Sequence, residues 1–193
     1  MKTLILVSMV CLLMACVACS KSKKNNVDES LSDSANIGHS DMLESQSLNY
    51  LKIVGDSVEI PFFEIELNLS KKAEEKLKTD NETVIVMAYF DGVVNPDNVP
   101  KKYKDKIFAD KLHLLSYPIE LADKRFARFE NVKFSKDLYD LLEDKDIMLL
   151  INVFSGRKST GDNLLDVDIL QDYMSEIKGK KFTLKGKLIY NDD

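Results

Sequence analysis

Tryptophan is absent from the chain, and cysteine is absent after residue 19. The missing tryptophan removes the aromatic platform on which sugars commonly stack, and the missing cysteine excludes disulfides from everything downstream. The two histidines, His39 and His113, are too few for a zinc site built from His and Cys. A folded part of this chain therefore depends on its hydrophobic core alone.

Recognisable catalytic motifs are missing as well. Ser-His-Asp chemistry would have to use His113, and no G-x-S-x-G segment exposes a serine. His113 alternates with Leu112 and Leu114, which predicts that it lies on the outward side of a strand. We therefore expect no catalytic residue, no cofactor, no metal and no enzyme activity.

Positive charge is in the minority, with 27 Lys and Arg against 32 Asp and Glu and a net charge of −5. Domains that bind nucleic acid normally carry a basic surface, so that class of partner is disfavoured. Asp162, Asp166 and Asp168 lack the glycine and terminal glutamate of an EF-hand loop, so a calcium site is disfavoured too.

The segment SGRKSTG at 155–161 has some features of a phosphate-binding loop. It fails the G-x-x-x-x-G-K-[ST] spacing, because Arg157 separates Gly156 from Lys158. A basic turn between two strands is the favoured interpretation. Arg157 and Lys158 stay weak candidates for contact with an acidic partner.

The amino-terminal stretch does carry a clear signal. Lys2 precedes an uncharged apolar run that is shorter than the ~20 residues of a membrane-spanning helix and has the length of a secretory signal. Leu13-Met14-Ala15-Cys16 then resembles the bacterial lipobox. That resemblance implies a signal peptide over residues 1–15 and a lipid on Cys16, with Cys19 as the alternative site.

Residues 20–47 are rich in Ser, Asn, Asp, Lys and Glu and contain no aromatic residue. Such a composition cannot bury enough apolar surface to fold, so residues 16–49 are predicted to be a lipidated, disordered tether. Two or more acyl chains attach a protein durably to a bilayer. No Asp directly follows either candidate cysteine, which favours the outer membrane. Whether the chain faces the periplasm or the cell surface is left open.

Residues 50–193 show a period of two, the pattern of half-buried strands. About seven strands are predicted, at 63–69, 83–90, 111–121, 127–134, 147–154, about 165–173 and 181–190. Short strands with turn signals between them and no alternation with long helices predict a mainly all-β, two-sheet sandwich of the immunoglobulin kind.

Two passages, 67–90 and 132–154, share one plan: a strand ending in Ser-Lys, a short amphipathic helical turn, and a buried strand. Each is predicted to be a helical crossover between sheets, with Ser70 or Ser135 capping its helix. Leu77 in the first passage, and Leu138, Leu141 and Leu142 in the second, are expected to face the core.

Asp91-Gly92 predicts a turn after the strand at 83–90. The following segment, up to residue 110, is predicted to be the longest irregular insertion. Long loops on rigid scaffolds often carry binding, so residues 91–110 are the first place to expect a partner surface.

The lipobox, polar tether and single small sandwich resemble envelope lipoproteins, and in layout the outer-membrane lipoproteins of type VI secretion systems (the TssJ group). That resemblance implies a transthyretin-like sandwich that anchors a membrane complex. Two functions follow as expectations. The first is a structural adapter that binds an envelope protein. The second is a module that binds a ligand or glycan, or an inhibitor or immunity lipoprotein, whose ligand the sequence does not identify.

We predict that the mature chain begins at Cys16 and carries its lipid there. Mass spectrometry of the wild-type chain should find residues 1–15 removed and a lipid mass on Cys16. Cys16→Ser should lose the lipid, whereas Cys19→Ser should keep it. The opposite result for the two variants would move the anchor to Cys19, and a wild-type chain with an intact leader and no lipid would contradict the lipoprotein prediction.

Overall fold

Strands dominate residues 50–190, the part of the chain that the computed structural model describes. Twelve strands lie in this range: β1 (Lys52–Val54), β2 (Ser57–Glu59), β3 (Phe63–Leu69), β4 (Val84–Val93), β5 (Ile107–Phe108), β6 (Lys111–Leu121), β7 (Phe126–Phe129), β8 (Lys133–Ser135), β9 (Met148–Ser155), β10 (Leu165–Val167), β11 (Leu170–Tyr173) and β12 (Lys181–Leu188). The helices in this range are α1 (Lys71–Thr79), α2 (Lys136–Asp140), α3 (Met174–Ile177) and the 3₁₀ helices Pro96–Asn98 and Lys101–Lys106. The predicted mainly all-β, sandwich-like class is confirmed, with twelve strands in three sheets within this range where about seven strands in two sheets are predicted.

The strands form three sheets, with the orders β1-β2-β8, β10-β12-β3-β7 and β11-β9-β4-β6-β5. Neighbouring strands are antiparallel except β3 and β12, which pair in parallel from Glu64 opposite Lys181 to Leu69 opposite Gly186. A parallel pair needs a long connection. Here the connection contains most of the described residues, so the pairing joins an early strand directly to the last one.

The core lies between the inward faces of the four- and five-stranded sheets. Alternate residues of β3 and β4 are buried, as a period of two requires: Phe63, Ile65, Leu67 and Leu69 on β3, and Val84, Val86, Ala88 and Phe90 on β4. Phe63 stacks on Phe129 of its own sheet, with ring centroids 4.6 Å apart. It also meets Phe90 of the other sheet edge-on at 6.5 Å. One aromatic side chain therefore contacts both layers.

The longer strands lie where the sequence predicts them, and the short ones do not. β3 and β6 match the predicted bounds, but the predicted strand at 127–134 is divided between β7 and β8 in different sheets. The chain leaves the first sheet where Asn131 adopts a φ of 57°. The stretch at 165–173 is likewise divided between β10 and β11. The strands β1, β2 and β5 have two or three residues each, too few to show a period, and were not predicted.

Both predicted helical crossovers are present. α1 carries the chain from the four-stranded to the five-stranded sheet, and α2 carries it from the three-stranded to the five-stranded sheet. Leu77, Leu138 and Leu142 are buried and Leu141 is half-buried, so all four face the core.

The predicted helix caps have different outcomes. The Ser70 hydroxyl accepts a hydrogen bond from the Ala73 amide at 3.2 Å, which confirms the first cap. The prediction for Ser135 is wrong, because its side chain makes no capping hydrogen bond. The Lys136 amide, the first of the helix, donates to the Asp56 carbonyl at 2.9 Å, so a backbone carbonyl satisfies one amide at this helix start.

The predicted turn at Asp91-Gly92 is also wrong, since β4 runs through both residues to Val93. The glycine serves packing instead. A Cβ added at Gly92 would lie 2.4 Å from a methyl of Leu142. The buried leucine that follows α2 therefore occupies the space that a side chain at residue 92 would need.

Replacing Phe63 with alanine should lower the free energy of unfolding by about 3–5 kcal/mol, because it removes the ring between the two layers. Phe62→Ala is the matched control. Phe62 is the adjacent residue, is 42% exposed and lies 4.5 Å from the Arg128 guanidinium, so its loss should cost less than about 1 kcal/mol. Urea unfolding measures both changes. Equal losses would show that Phe63 does not join the layers.

Candidate functional site

The predicted lipid sites Cys16 and Cys19, with the leader and tether around them, lie outside the described residues. None of the helices within residues 50–190 has the length and apolar character of a membrane span.

Residues 94–110 are more ordered than the predicted irregular insertion. Two 3₁₀ helices and the strand β5 fill most of this segment. Val94 and Val99 are buried, and Tyr103 packs against the core, so three apolar side chains hold the segment on the domain. The Asn95 side chain accepts from the Asp97 amide at 3.0 Å and begins the first 3₁₀ helix.

The outward side of this segment combines lysines with an exposed aromatic ring. We name it the basic surface; its members are the exposed Lys101, Lys102, Lys104 and Phe108 and the half-buried Lys106, and one exposed carboxylate, Asp105, lies among them in sequence. Phe108 is 85% exposed, the highest value among the large exposed hydrophobic residues of the described range. It ends β5 and pairs with Lys111, which leaves only Ala109 and Asp110 to make the hairpin turn. Ala109 has a φ of 55°, and the tight turn leaves Phe108 at the tip.

The lysines of the basic surface differ in their contacts. Lys102 lies 3.7 Å from the Asp137 carboxylate, and its hydrogen bond and electrostatic interaction with Tyr103, with a smaller contribution from Asp137, raise the pKa of Lys102. Lys104 donates to the Pro96 carbonyl. No ion pair is seen for Lys101 or Lys106 with any residue between 50 and 190. Two cations of this surface are therefore available for an acidic partner.

The other sequence candidates, Arg157 and Lys158, have contacts within the domain. The Lys158 ammonium lies 2.7 Å from the Glu120 carboxylate, although both side chains are exposed. The Arg157 guanidinium lies 5.6 Å from the centre of the Phe154 ring. Arg157 itself has a φ of 58°, so the loop turns sharply between β9 and β10. The predicted basic turn between strands is confirmed.

This turn is built around a buried carboxylate. Glu82 is only 4% exposed, and its oxygens accept hydrogen bonds from the amides of Thr83, Lys158 and Ser159 at 2.9–3.1 Å. The Ser159 hydroxyl adds a further bond at 2.8 Å. Burial alone raises the pKa of Glu82, but these donors outweigh it and hold the pKa below its ordinary value. The loop therefore does bind an anion, which is the carboxylate of Glu82 in the same domain.

Gly156 permits the close contact of this loop with the residues that precede β4. A Cβ at residue 156 would lie 2.0 Å from the Thr83 hydroxyl and 3.1 Å from a Glu82 oxygen. The glycine in the segment at 155–161 therefore serves packing against Thr83 rather than phosphate binding.

Residues that the sequence could not connect meet on the outer side of the five-stranded sheet. The Asp91 carboxylate lies 2.9 Å from His113 Nδ1, and the Ser116 hydroxyl lies 3.0 Å from His113 Nε2. The outward position of His113 is as predicted, with its side chain 35% exposed. The sequence does not point to Asp91 or Ser116, because Asp91-Gly92 predicts a turn and Ser116 belongs to no motif.

Two aspartates of the cluster at 162–168 lie on or directly after β10. Asp166 lies on β10, and the Asp168 carboxylate accepts from the Lys185 amide at 3.0 Å. Across residues 50–190, no three His, Cys, Asp or Glu side chains converge as metal ligands.

Two surface cavities lie beside α1. One, of about 350 Å³, is lined by charged residues including Glu74, Glu82 and Arg125, and the Arg125 guanidinium lies 3.0 Å from the Glu74 carboxylate. The other, of about 540 Å³, has an apolar wall of Leu164, Leu188 and Tyr190. The second cavity has the apolar character of a small-ligand site, although it is open to solvent.

Comparisons with protein families, curated proteins and solved structures found no significant match to this chain. The resemblance to the TssJ group, drawn from the sequence layout, stays a prediction.

Glu82→Gln should destabilise the domain by about 2 kcal/mol at neutral pH, because an amide replaces the charged acceptor of several hydrogen bonds. A lowered pKa in the folded state stabilises the protein above the ordinary value of 4.5, and that contribution is lost as the pH falls through the folded pKa. The difference between wild type and variant should therefore shrink in acid.

Urea unfolding at several pH values measures this difference. Glu75→Gln is the control, because Glu75 is exposed on α1 and pairs with the exposed Lys71 at 3.7 Å. Its effect should stay below about 0.5 kcal/mol at every pH. A Glu82→Gln effect that is equally small, or that does not change with pH, would contradict the assigned role of the carboxylate.

Proposed function

We propose that this chain is a lipid-anchored cell-envelope adapter, whose folded domain binds a protein partner through the basic surface. The observation that carries the proposal is the position of Phe108, a large apolar ring almost fully exposed at a hairpin tip that closely follows four lysines in sequence. Burying such a ring contributes about 1.5–3 kcal/mol. An aromatic residue within a polar rim is the arrangement of an interface hot spot.

Contacts beneath the basic surface hold it in place, so binding a partner should cost little conformational entropy. Val94 and Val99 are buried, and the Tyr103 hydroxyl donates to the Asp137 carboxylate at 3.4 Å. A segment that is already ordered loses little conformational entropy when it meets a partner. The lysines define the partner's chemistry: it should offer an acidic rim around an apolar pocket for Phe108.

The envelope location rests on the leader and the lipobox-like Leu13–Cys16 segment. A multiply acylated cysteine holds a protein at a bilayer. Membrane attachment restricts the volume in which domain and partner search for each other, so a modest contact surface suffices. Secretion systems, which assemble envelope proteins around such anchors, are one setting that fits this arrangement, with the outer membrane as the proposed membrane.

A second candidate function is the capture of a small ligand, and the cavity beside Leu164, Leu188 and Tyr190 favours it. Lys72 and Lys76 line it together with Glu75, and although Lys76 also pairs with Asp80 at 2.8 Å, the two lysines would favour an anionic group on an otherwise apolar molecule. The adapter is preferred because this cavity is open to solvent, whereas no residue between 50 and 190 covers the exposed ring of Phe108.

The proposal predicts that this chain captures one envelope protein and that the capture requires the basic surface. Full-length tagged chain is cross-linked in intact cells, solubilised and captured, and the proteins that come with it are quantified by mass spectrometry. Phe108→Ala, and Lys101→Glu combined with Lys106→Glu, should each reduce that protein at least ~10-fold, the change that about 1.4 kcal/mol produces.

Phe126→Ala is the matched control, because Phe126 is also exposed but lies on β7 in the other sheet. The partner should remain at its wild-type level in this variant. Equal recovery from all variants, or recovery of no protein above background, would overturn the adapter. Because Cys16→Ser alters only the anchor, loss of partner in that variant alone would assign capture to membrane location rather than to the basic surface.

A further inference from the structure

A β-bulge brings three polar side chains together on the outer face of β4 and β6. Phe90 pairs with Leu115, but the next residue, Asp91, pairs with His113, so Leu114 is an extra residue on β6. Without it, the side chains of residues 113 and 116 would point to opposite faces of the sheet. The bulge places His113 and Ser116 on the same face, opposite Asp91.

The contacts of His113 determine which nitrogen of the neutral imidazole carries the proton. His113 Nδ1 lies 2.9 Å from a carboxylate oxygen of Asp91, which can only accept a hydrogen bond. Nδ1 therefore carries the proton in the neutral ring. Nε2 is then left with a lone pair, and it faces the Ser116 hydroxyl at 3.0 Å. The serine donates and the histidine accepts, which is the arrangement of a general base beside a nucleophile.

The site is accessible, and it has an apolar neighbour. Ser116 is exposed, and the Asp91 and His113 side chains are 28% and 35% exposed. Tyr89 lies directly opposite Ser116 on β4, and Leu150 lies opposite Tyr89 on β9. Residues directly opposite each other in antiparallel strands share a face. Half-buried Tyr89 and Leu150 therefore offer an apolar surface beside the hydroxyl.

We propose that Ser116 is an activated nucleophile that accepts an acyl group from small apolar esters with good leaving groups, with His113 as its base and Asp91 as the positioning residue. All the identified contacts activate the serine nucleophile. The ester must therefore be reactive in itself, and a good leaving group makes it so. This inference is independent of the proposed adapter function, which uses a different surface.

The proposed step balances with water as the only co-reactant. The Ser116 oxygen bonds to the ester carbonyl carbon, its proton passes to His113 Nε2, and the bond to the leaving alcohol breaks. The imidazolium returns that proton to the alcohol. Water then attacks the acyl-serine, again with His113 taking and returning a proton, and releases the carboxylic acid and free Ser116.

A fluorophosphonate probe tests the nucleophile directly, because the serine oxygen forms a bond to phosphorus as fluoride leaves with the proton. The full-length chain in its membrane fraction should gain one probe mass, located on Ser116 by peptide sequencing. Ser116→Ala should abolish labelling. Ser135→Ala should not change it, since Ser135 is exposed but has no contact with a histidine.

The histidine variants separate base catalysis from mere hydrogen bonding. His113→Ala should slow labelling about 100-fold, within the range that general bases supply. His113→Gln retains hydrogen-bonding groups but is no base, and should slow labelling as much. Asp91→Asn should slow labelling, and Asp91→Glu should restore part of the rate, while circular dichroism stays unchanged in all four.

Two results would overturn the proposal. One is labelling of Ser116 at the wild-type rate in both His113 variants, which would make the cluster a hydrogen-bond network without base function. The other is no labelling of Ser116 in the wild-type chain under conditions that label a serine esterase added to the same sample.

Discussion

The contact of Phe63 with both sheets is the interaction on which the rest of the described domain depends. The ring stacks on Phe129 in its own layer and meets Phe90 edge-on in the other, with centroids at 4.6 and 6.5 Å. No disulfide is available after residue 19 to hold the layers together. Domains of this size are stable by only about 5–15 kcal/mol, so a single large buried ring carries a substantial share of the total.

The two surfaces of interest depend on this core in different ways. The basic surface lies on a segment inserted between β4 and β6, and Val94 and Val99 fix it by reaching back into the apolar interior. The Asp91, His113 and Ser116 group lies on the opposite side of the same two strands from the core. Its geometry depends on the bulge at Leu114, whose own side chain is buried. Packing inside the sheet therefore sets the positions of polar groups outside it.

The period of two in the sequence was sufficient to predict the long strands, because alternate residues of a strand are buried against the core. β3 and β6 have the predicted bounds, and the Ser70 cap follows from a local motif. The prediction missed where the chain leaves one sheet for another, because the strand predicted at 127–134 ran across Glu130-Asn131, where burial passes from odd to even positions. It also misassigned Gly92, where a glycine usually signals a turn but here makes room for Leu142.

The candidate sites were harder to predict, because their contacts join residues distant in sequence. Glu82 meets Lys158 and Ser159 across a separation of more than 70 residues, and nothing local marks it as their acceptor. The Asp91 and His113 contact requires a bulge, which shifts the pairing by one residue and leaves no reliable trace in composition. Only the general location of the basic surface, within residues 91–110, followed from the sequence, since an insertion between two strands was visible there.

The contrast between the two basic segments shows why charge on a loop is a weak guide to binding. Arg157-Lys158 and the lysines at 101–106 look alike in sequence, and both follow a central strand. In the structure, the amide of Lys158 donates to Glu82 and its ammonium pairs with Glu120, so a partner would have to replace contacts that already exist. Lys101 and Lys106 have no ion pair within the described part of the chain, so a partner would not have to replace one. The exposed ring of Phe108 lies close to them in sequence. A new contact is favoured where charge is unpaired and apolar surface is still open to water, and this domain combines the two on its basic surface.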